Sequence, residues 1–440
     1  MGAQVAEIKH EEGLPTIDTD AEQITISNLV QSAVELGIEK TFAQRLGELL
    51  IEETVRVEDA AHPQRSKDQL MKEMFEITQK LTLQGQKVTR FEIGEPNFPT
   101  PKAVIRGLNS TFQKKKIIGY GPAAGLPELR SAIANELSKQ HATKIDPEQI
   151  LITPGARFAI FATITSYVSS LERVIIPQPA WPAYEECVNY AKGRVVPLPT
   201  MLEDDWDIDV EALESELKKG ARMLVLNTPS NPTGKVIRKQ IFQHIVDLAA
   251  KYNTMILSDE VYDRYVRSPA PSMLENGYEN FVYVNSFSKQ FSLTGWRIAY
   301  LVTTKENAIR IRRVLQTAIT CVPEFIQNAA LVAIKRARSQ AQRHIKAILE
   351  KVDLTCRELG MIDVSFHKPD GAFYVFPKAN KPNFDSLAFA KKLLEQDRVS
   401  ITPGQSFGDY PEFFRLAVSL PKTQIPAAIR AIGAAIESWP

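Results

Sequence analysis

The sequence is poor in the features that mark secreted, membrane-spanning and nucleic-acid-binding proteins. Its three cysteines, Cys187, Cys321 and Cys356, lie far apart and leave one unpaired under any pairing, which disfavours a disulfide framework or a zinc site. No apolar run approaches the roughly 18 residues of a membrane-spanning helix, and residues 1–13 lack the apolar core of a secretory signal. The 53 basic and 52 acidic side chains nearly cancel, which argues against a nucleic-acid binder. These absences predict a cytoplasmic protein.

The chain of 440 residues, of which 44% are hydrophobic, is long enough for two or three packing units. Its near-zero net charge conceals a division of the sequence. Residues 1–68 carry 14 acidic and 6 basic side chains, whereas the remaining 372 residues carry 38 acidic and 47 basic ones. We therefore expect residues 1–68 to form an acidic N-terminal extension.

Apolar spacing predicts that this extension is helical. One helix is expected near Ser27–Leu36, ending at Gly37, and another near Thr41–Val55, whereas Ala60–Ser66 is typical of a linker. The two helices either pack on the main body or form a regulatory or substrate-covering arm.

The rest of the chain alternates short apolar runs with helical stretches, a pattern that predicts an α/β fold with a mostly parallel sheet. We expect a three-layer large domain at 101–335 and a smaller α+β domain at 336–440. Residues 69–100 are expected to form the N-terminal part of the smaller domain. The expected strands of the large domain are Ile150–Thr153, Arg173–Ile176, Met223–Asn227, Thr254–Ser258, Phe281–Asn285 and Ile298–Thr303. The small domain combines the strand Ala372–Phe376 with helices at Gln340–Glu358, Phe384–Gln396 and Ile425–Ser438.

One lysine, Lys289, stands in a turn rich in serine and glycine that follows an expected strand. A lysine held in a pocket can lose its proton and form a Schiff base with a carbonyl group. The hydroxyls of Ser286 and Ser288 and the guanidinium of Arg297 could hold a phosphate nearby. A Schiff-base lysine beside a phosphate holder is what pyridoxal 5'-phosphate requires.

The spacing Ser-x-Ser-Lys-x-x-x-x-x-Gly-x-Arg resembles the cofactor-lysine motif of class I and II aminotransferases, which are fold-type-I pyridoxal-phosphate enzymes. The resemblance covers about residues 69–440 and does not extend to the first 68. Further segments that resemble the family's motifs follow in chain order: 94–99, 120–126, 153–157, 179–182, 231–234, 258–262 and 414–416.

The resemblance implies roles for the catalytic residues. Lys289 would form the Schiff base and later carry the proton between the amino acid and the cofactor. Asp259, after an apolar strand, would pair with the pyridinium nitrogen and keep the ring an electron sink. Tyr262 and Asn231 would hydrogen-bond the ring hydroxyl oxygen, and a cis bond is implied between Asn231 and Pro232.

The resemblance also implies residues that bind the cofactor and the substrate. A turn that opens a helix would offer its amide groups to the phosphate, together with Ser286, Ser288 and Arg297; its residues are Gly155, Ala156 and Arg157. Trp181 would stack on the pyridine ring. Tyr120 would reach the neighbour's phosphate across a dimer interface, so a homodimer with shared active sites is implied. Arg415 would bind the substrate's α-carboxylate, assisted by Gly94 and Asn231.

The expected reaction is transfer of the amino group of an L-amino acid to a 2-oxo acid. The same scaffold supports other reactions through the shared carbanion, so an oxidase, cyclase or lyase of an amino acid such as an arginine derivative is the alternative. Arg157 could meet an acidic substrate side chain, or pair with phosphate or a surface group. The acidic extension could instead help to recognise a basic amino acid. A cofactor-sensing DNA-binding regulator is disfavoured by that extension's negative charge.

Overall fold

The computed structural model describes residues 19–47, 50, 66–114 and 118–440, and it divides the chain into two compact units, Met1–Ser66 and Lys67–Pro440. The first unit contains helix α1 (Thr19–Glu35), followed by Gly37 with a φ of +77°, a conformation that glycine adopts without strain. The expected helix is thus present but begins earlier. The chain is also helical over 40–47, whereas the end of the second expected helix and nearly all of the expected linker lie outside the described residues.

The second unit is built on a seven-stranded sheet with the order β2-β8-β7-β6-β5-β3-β4. Strand β8 runs antiparallel to both of its neighbours, and the other pairs are parallel. The mostly parallel sheet of the prediction is therefore confirmed. Its strands are β2 (Ile150–Thr153), β3 (Arg173–Gln178), β4 (Arg194–Pro199), β5 (Met223–Asn227), β6 (Met255–Asp259), β7 (Phe281–Ser286) and β8 (Ala299–Thr303).

Helices cover both faces of this sheet, because successive strand residues point to opposite sides. In β6, Met255 and Leu257 belong to one core cluster and Ile256 to another. Helices α5 (Ala156–Tyr167), α6 (Ala183–Tyr190) and α10 (Lys305–Ile319) contribute to the first cluster, and α7 (Val210–Lys218) and α8 (Lys239–Lys251) to the second. The remaining helices near the sheet are α3 (Lys102–Lys114), α4 (Pro127–Gln140), α9 (Phe287–Gln290) and α11 (Glu324–Arg336).

The C-terminal residues form a smaller α+β region. Its helices are α12 (Arg338–Leu359), α13 (Ser386–Asp397) and α14 (Ile425–Glu437). Its strands are β9 (Val364–Ser365), β10 (Tyr374–Val375), β11 (Lys378–Ala379), β12 (Val399–Ser400), β13 (Thr402–Pro403) and β14 (Phe414–Ala417), and β10, β14 and β13 form an antiparallel sheet.

Helix α2 (Lys67–Leu83) and strand β1 (Thr89–Arg90) lie beside this C-terminal region. Met74 of α2 and Phe91 after β1 are fully buried in the same core cluster as the C-terminal helices, and β1 pairs in parallel with β12. No helix among the described residues is long and apolar enough to cross a membrane.

The sheet brings the carboxyl ends of four strands, β2, β5, β6 and β7, to one edge. Thr153 at the end of β2 and Ser286 at the end of β7 both pair with Ala299, and Asn227 at the end of β5 pairs with Asp259. Side chains and turns at the carboxyl ends of parallel strands commonly form ligand sites.

Candidate active site

A cavity of about 410 Å³ opens at this edge of the sheet. It is lined by every site residue that the sequence predicted except Gly155 and Tyr120. The cavity also contains side chains for which the sequence predicts no role, among them Asp68, Lys72, Tyr184 and Tyr374. Residues far apart in sequence therefore form one site.

Lys289 lies in the short helix α9, directly after strand β7. The side chain of Ser286 begins this helix by accepting a hydrogen bond of 3.0 Å from the Ser288 amide. The Lys289 Nζ donates to the carbonyl oxygen of Gly94 and lies 5.7 Å from the centre of the Tyr262 ring. Burial lowers the pKa of Lys289 to about 8, so more of the amine is neutral near pH 7 than in an exposed lysine.

Asp259 ends strand β6, and its side chain is held by two donors. Its carboxylate accepts hydrogen bonds from the Tyr184 hydroxyl at 2.7 Å and from the Val261 amide at 3.3 Å. Burial raises the pKa of Asp259 to about 6, although both hydrogen bonds act in the opposite direction. Asp259 forms no ion pair with any residue that the structure describes, so a cationic ligand group would stabilise its charge.

The turn between β2 and α5 lies against Arg297. Gly155 begins α5 with a φ of +97°, and a Cβ atom at this position would collide with the Arg297 guanidinium. Glycine thus allows the arginine to approach the free amide groups at the helix N-terminus. Arg297 also donates to the Thr294 carbonyl at 2.9 Å, while Ser286 and Ser288 line the same part of the cavity. This arrangement of donors and positive charge suits an anion.

Arg415, on strand β14, is 2% exposed, and its hydrogen-bond partners among the described residues are neutral groups. It donates to the Asn231 side-chain oxygen at 3.0 Å, the Glu92 carbonyl at 2.7 Å and the Thr402 hydroxyl at 3.2 Å. Among the described residues its Nε atom has no hydrogen-bond partner, and burial lowers its pKa. A buried cation that is held by neutral groups and borders a cavity can accept a carboxylate.

Aromatic side chains complete the walls. Trp181 lies edge-on to Tyr184, with ring centres 5.5 Å apart, and the Tyr262 and Tyr374 hydroxyls are 2.6 Å apart. The bond between Asn231 and Pro232 is cis, as the resemblance implied. Tyr184 and Tyr374 had no assigned role because their partners, Asp259 and Tyr262, lie far away in the chain.

Two of the expected site residues need separate description. Tyr120 is 90% exposed and does not line the cavity. Arg157 lines it, but its guanidinium contacts Asp68 at 3.5 Å and covers the Trp181 ring at 4.8 Å. In this structure Arg157 thus pairs with Asp68, a buried carboxylate at the end of the acidic residues 1–68, and both of its predicted alternatives stay predictions.

Comparisons with known proteins agree with this geometry. Residues 86–432 match the family model "Aminotransferase class I and II". An aspartate aminotransferase of Thermotoga maritima is 32% identical over 355 residues, which cover 80% of this chain and 92% of that protein. An aromatic-amino-acid aminotransferase of Thermococcus litoralis is 32% identical, with 78% and 88% covered. The crystal structure of the Thermotoga aspartate aminotransferase superposes with a TM-score of 0.79 at 30% identity, covering 84% of this chain and 97% of that one.

Proposed function

The chain belongs to the class I and II aminotransferase family, and from this premise we propose how its own cavity residues serve the reaction. It is a pyridoxal-phosphate-dependent aminotransferase that moves the amino group of an amino acid to a 2-oxo acid. Pyridoxal phosphate, when bound, supplies an aldehyde that reacts with amines and a ring that withdraws electrons from the substrate's α-carbon. The phosphate, the ring nitrogen and the aldehyde of this molecule each require a different partner in the protein.

The residues that would hold the phosphate are Arg297, Ser286 and Ser288, together with the amide groups at the start of α5. The close approach of Arg297 to Gly155 supports this role, because it joins a guanidinium to free backbone donors on one side of the cavity. An anion placed there would be stabilised by both the arginine and the helix dipole.

Asp259 holds the protonated ring nitrogen, and Tyr184 keeps its carboxylate in place. The buried Asp259 carboxylate has no ion-pair partner among the residues described, so a charged ligand group would stabilise it, and the 2.7 Å hydrogen bond from Tyr184 fixes its orientation. Trp181 would provide a flat surface for the ring, and Tyr262 and Asn231 would donate hydrogen bonds to its hydroxyl oxygen. Both of these residues line the cavity.

Lys289 would hold the aldehyde end of the cofactor through its neutral amine and would accept and return the proton at the substrate's α-carbon. The lowered pKa of about 8 supports both tasks, since a base that titrates near neutral pH can both accept and return a proton. The Gly94 carbonyl, which accepts from Lys289 Nζ, orients the amine when it is protonated.

Arg415 binds the substrate's α-carboxylate, and Asn231 and the Glu92 carbonyl hold its guanidinium in position. One observation carries the proposal: a lysine of lowered pKa faces the same cavity as a buried carboxylate and a buried arginine, neither of which forms an ion pair within the described part of the chain. Each of these groups lacks the partner that cofactor and amino acid would provide.

The experiment is to mix the purified enzyme with single amino acids, without a 2-oxo acid, while recording the cofactor spectrum and dissolved oxygen. Transamination predicts conversion of the aldehyde form of the cofactor to its amine form without oxygen uptake. Oxygen consumption would instead show an oxidase, and turnover with neither signal would show elimination or cyclisation.

We also propose a homodimer with shared active sites. The 90% exposure of Tyr120 supports it, because the side chain is accessible to a second subunit, as a residue that reaches the neighbouring site has to be. Light scattering of the purified protein at twice the chain mass would support the dimer, and a chain-mass particle with full activity would contradict it. A cytoplasmic location is supported by the three cysteines, which are free.

A further inference from the structure

Helix α2 supplies one wall of the cavity. Asp68, Met71, Lys72 and Phe75 all line it, and their spacing places them on one face of the helix. Asp68 on this face contacts Arg157 at the start of α5, and Trp181, in the loop after β3, lines the same cavity. The wall therefore combines apolar side chains with three charges.

Asp68 is the central charge of this wall. It is 4% exposed, and its two oxygens accept from Lys72 at 2.6 Å and from Arg157 at 3.5 Å. The Arg157 guanidinium also lies over the Trp181 ring at 4.8 Å, so it is held between a carboxylate and an indole. Lys72 is 61% exposed, which leaves its charge well screened by water.

We propose that Asp68 determines the side-chain specificity of the reaction by neutralising Arg157, so that the enzyme prefers amino acids with uncharged, apolar side chains to aspartate and glutamate. A substrate carboxylate that reached Arg157 would also approach Asp68, and the two like charges would repel each other. An apolar side chain avoids this repulsion and packs on Met71, Phe75 and Trp181. The inference rests on the proposed function, because the substrate's reacting carbon must lie beside Lys289.

The test compares the wild type with Asp68→Asn, which keeps the shape and removes the charge. We expect the ratio of kcat/KM for aspartate to kcat/KM for phenylalanine to rise about tenfold. Calorimetry adds a readout that does not depend on turnover: succinate should bind about tenfold more tightly to the variant, and 3-phenylpropionate equally well. Glu76→Gln, which removes an exposed charge from the same helix, should change neither the kcat/KM ratio nor the affinity for succinate. Asp68→Glu keeps the charge and should keep the wild-type preference.

Three results would overturn the inference: a wild type that prefers aspartate or a basic amino acid to phenylalanine, an aspartate-to-phenylalanine ratio that Asp68→Asn leaves unchanged, or one that it lowers. The last would show that Asp68 positions Arg157 for an acidic substrate. Failure of the proposed function is distinguishable, since then no amino acid would change the cofactor spectrum, whereas the binding of succinate and 3-phenylpropionate would still report on Asp68. Circular dichroism establishes that each variant is folded.

Discussion

Replacing Asp259 with asparagine should make the cofactor-free protein more stable while it removes activity. Asp259 is 3% exposed, and burial raises its pKa from 3.8 to about 6. Because the folded protein holds this proton more tightly than the unfolded chain, the stability contributed by the group is complete below pH 3.8 and is lost as the pH rises towards 6. Asparagine does not ionise, so the variant does not lose this stability as the pH rises.

The magnitude follows from the size of the shift. A difference of about two pKa units corresponds to roughly 3 kcal/mol of lost stability above pH 6. The amide oxygen of asparagine can accept from Tyr184 or Val261, and the donor left without an acceptor costs about 1 kcal/mol. The variant should therefore be about 2 kcal/mol more stable than the wild type near pH 7.5, and about equally stable near pH 4.5.

Denaturant unfolding of the cofactor-free proteins at the two pH values measures this difference. Asp247→Asn serves as the control, because Asp247 is an exposed carboxylate on α8 and its loss should alter neither value. The same Asp259 variant should lose at least about a hundredfold in kcat, since the partner of the ring nitrogen is absent. A variant that is less stable near pH 7.5, or a stability difference that does not change with pH, would refute the reasoning.

Three further predictions concern other residues of the cavity. Lys289→Ala should lower turnover by at least about a thousandfold and abolish the absorbance of the lysine-bound cofactor, and near-normal activity would disprove its role. Arg415→Lys should raise KM for every amino acid by about tenfold or more through loss of the planar fork, whereas an unchanged KM would remove Arg415 from the carboxylate site. Tyr184→Phe removes a hydrogen bond to the ionised Asp259 and so raises the pKa of that carboxyl further. Cofactor affinity falls when the pH is lowered and Asp259 takes up a proton, and the midpoint of this fall should lie about one pH unit higher in Tyr184→Phe than in Tyr190→Phe. Tyr190 is an exposed residue of the same helix and serves as the control. Equal midpoints in the two variants would contradict the role of Tyr184.

Local patterns in the sequence identified most of the sheet. Strand β5 has the predicted bounds, because a run of buried apolar residues is a strong signal by itself. Strand β4 was missed because it lies at the sheet edge, contains Pro197 and Pro199, and alternates between buried and exposed side chains. The prolines are tolerated there because an edge strand has one unpaired side.

The site was predictable only where residues of a motif stand close together in the chain. Lys289, Ser286 and Ser288 could be identified in this way. The contact between Tyr184 and Asp259 joins the start of helix α6 to the end of strand β6. These segments are distant in sequence, and no local pattern indicates the contact. Asp68 was counted with the acidic extension because charge composition does not show where a helix begins, whereas the structure places it in α2 beside Arg157.

The transfer of nitrogen between two substrates tests the central claim most directly. The enzyme is given an amino acid labelled with ¹⁵N and an unlabelled 2-oxo acid, and the products are identified by mass spectrometry. The account predicts that the label appears in the amino acid formed from the 2-oxo acid, mole for mole with the new 2-oxo acid, and that Lys289→Ala abolishes this transfer. Release of the label as free ammonia, or consumption of oxygen in its place, would contradict it.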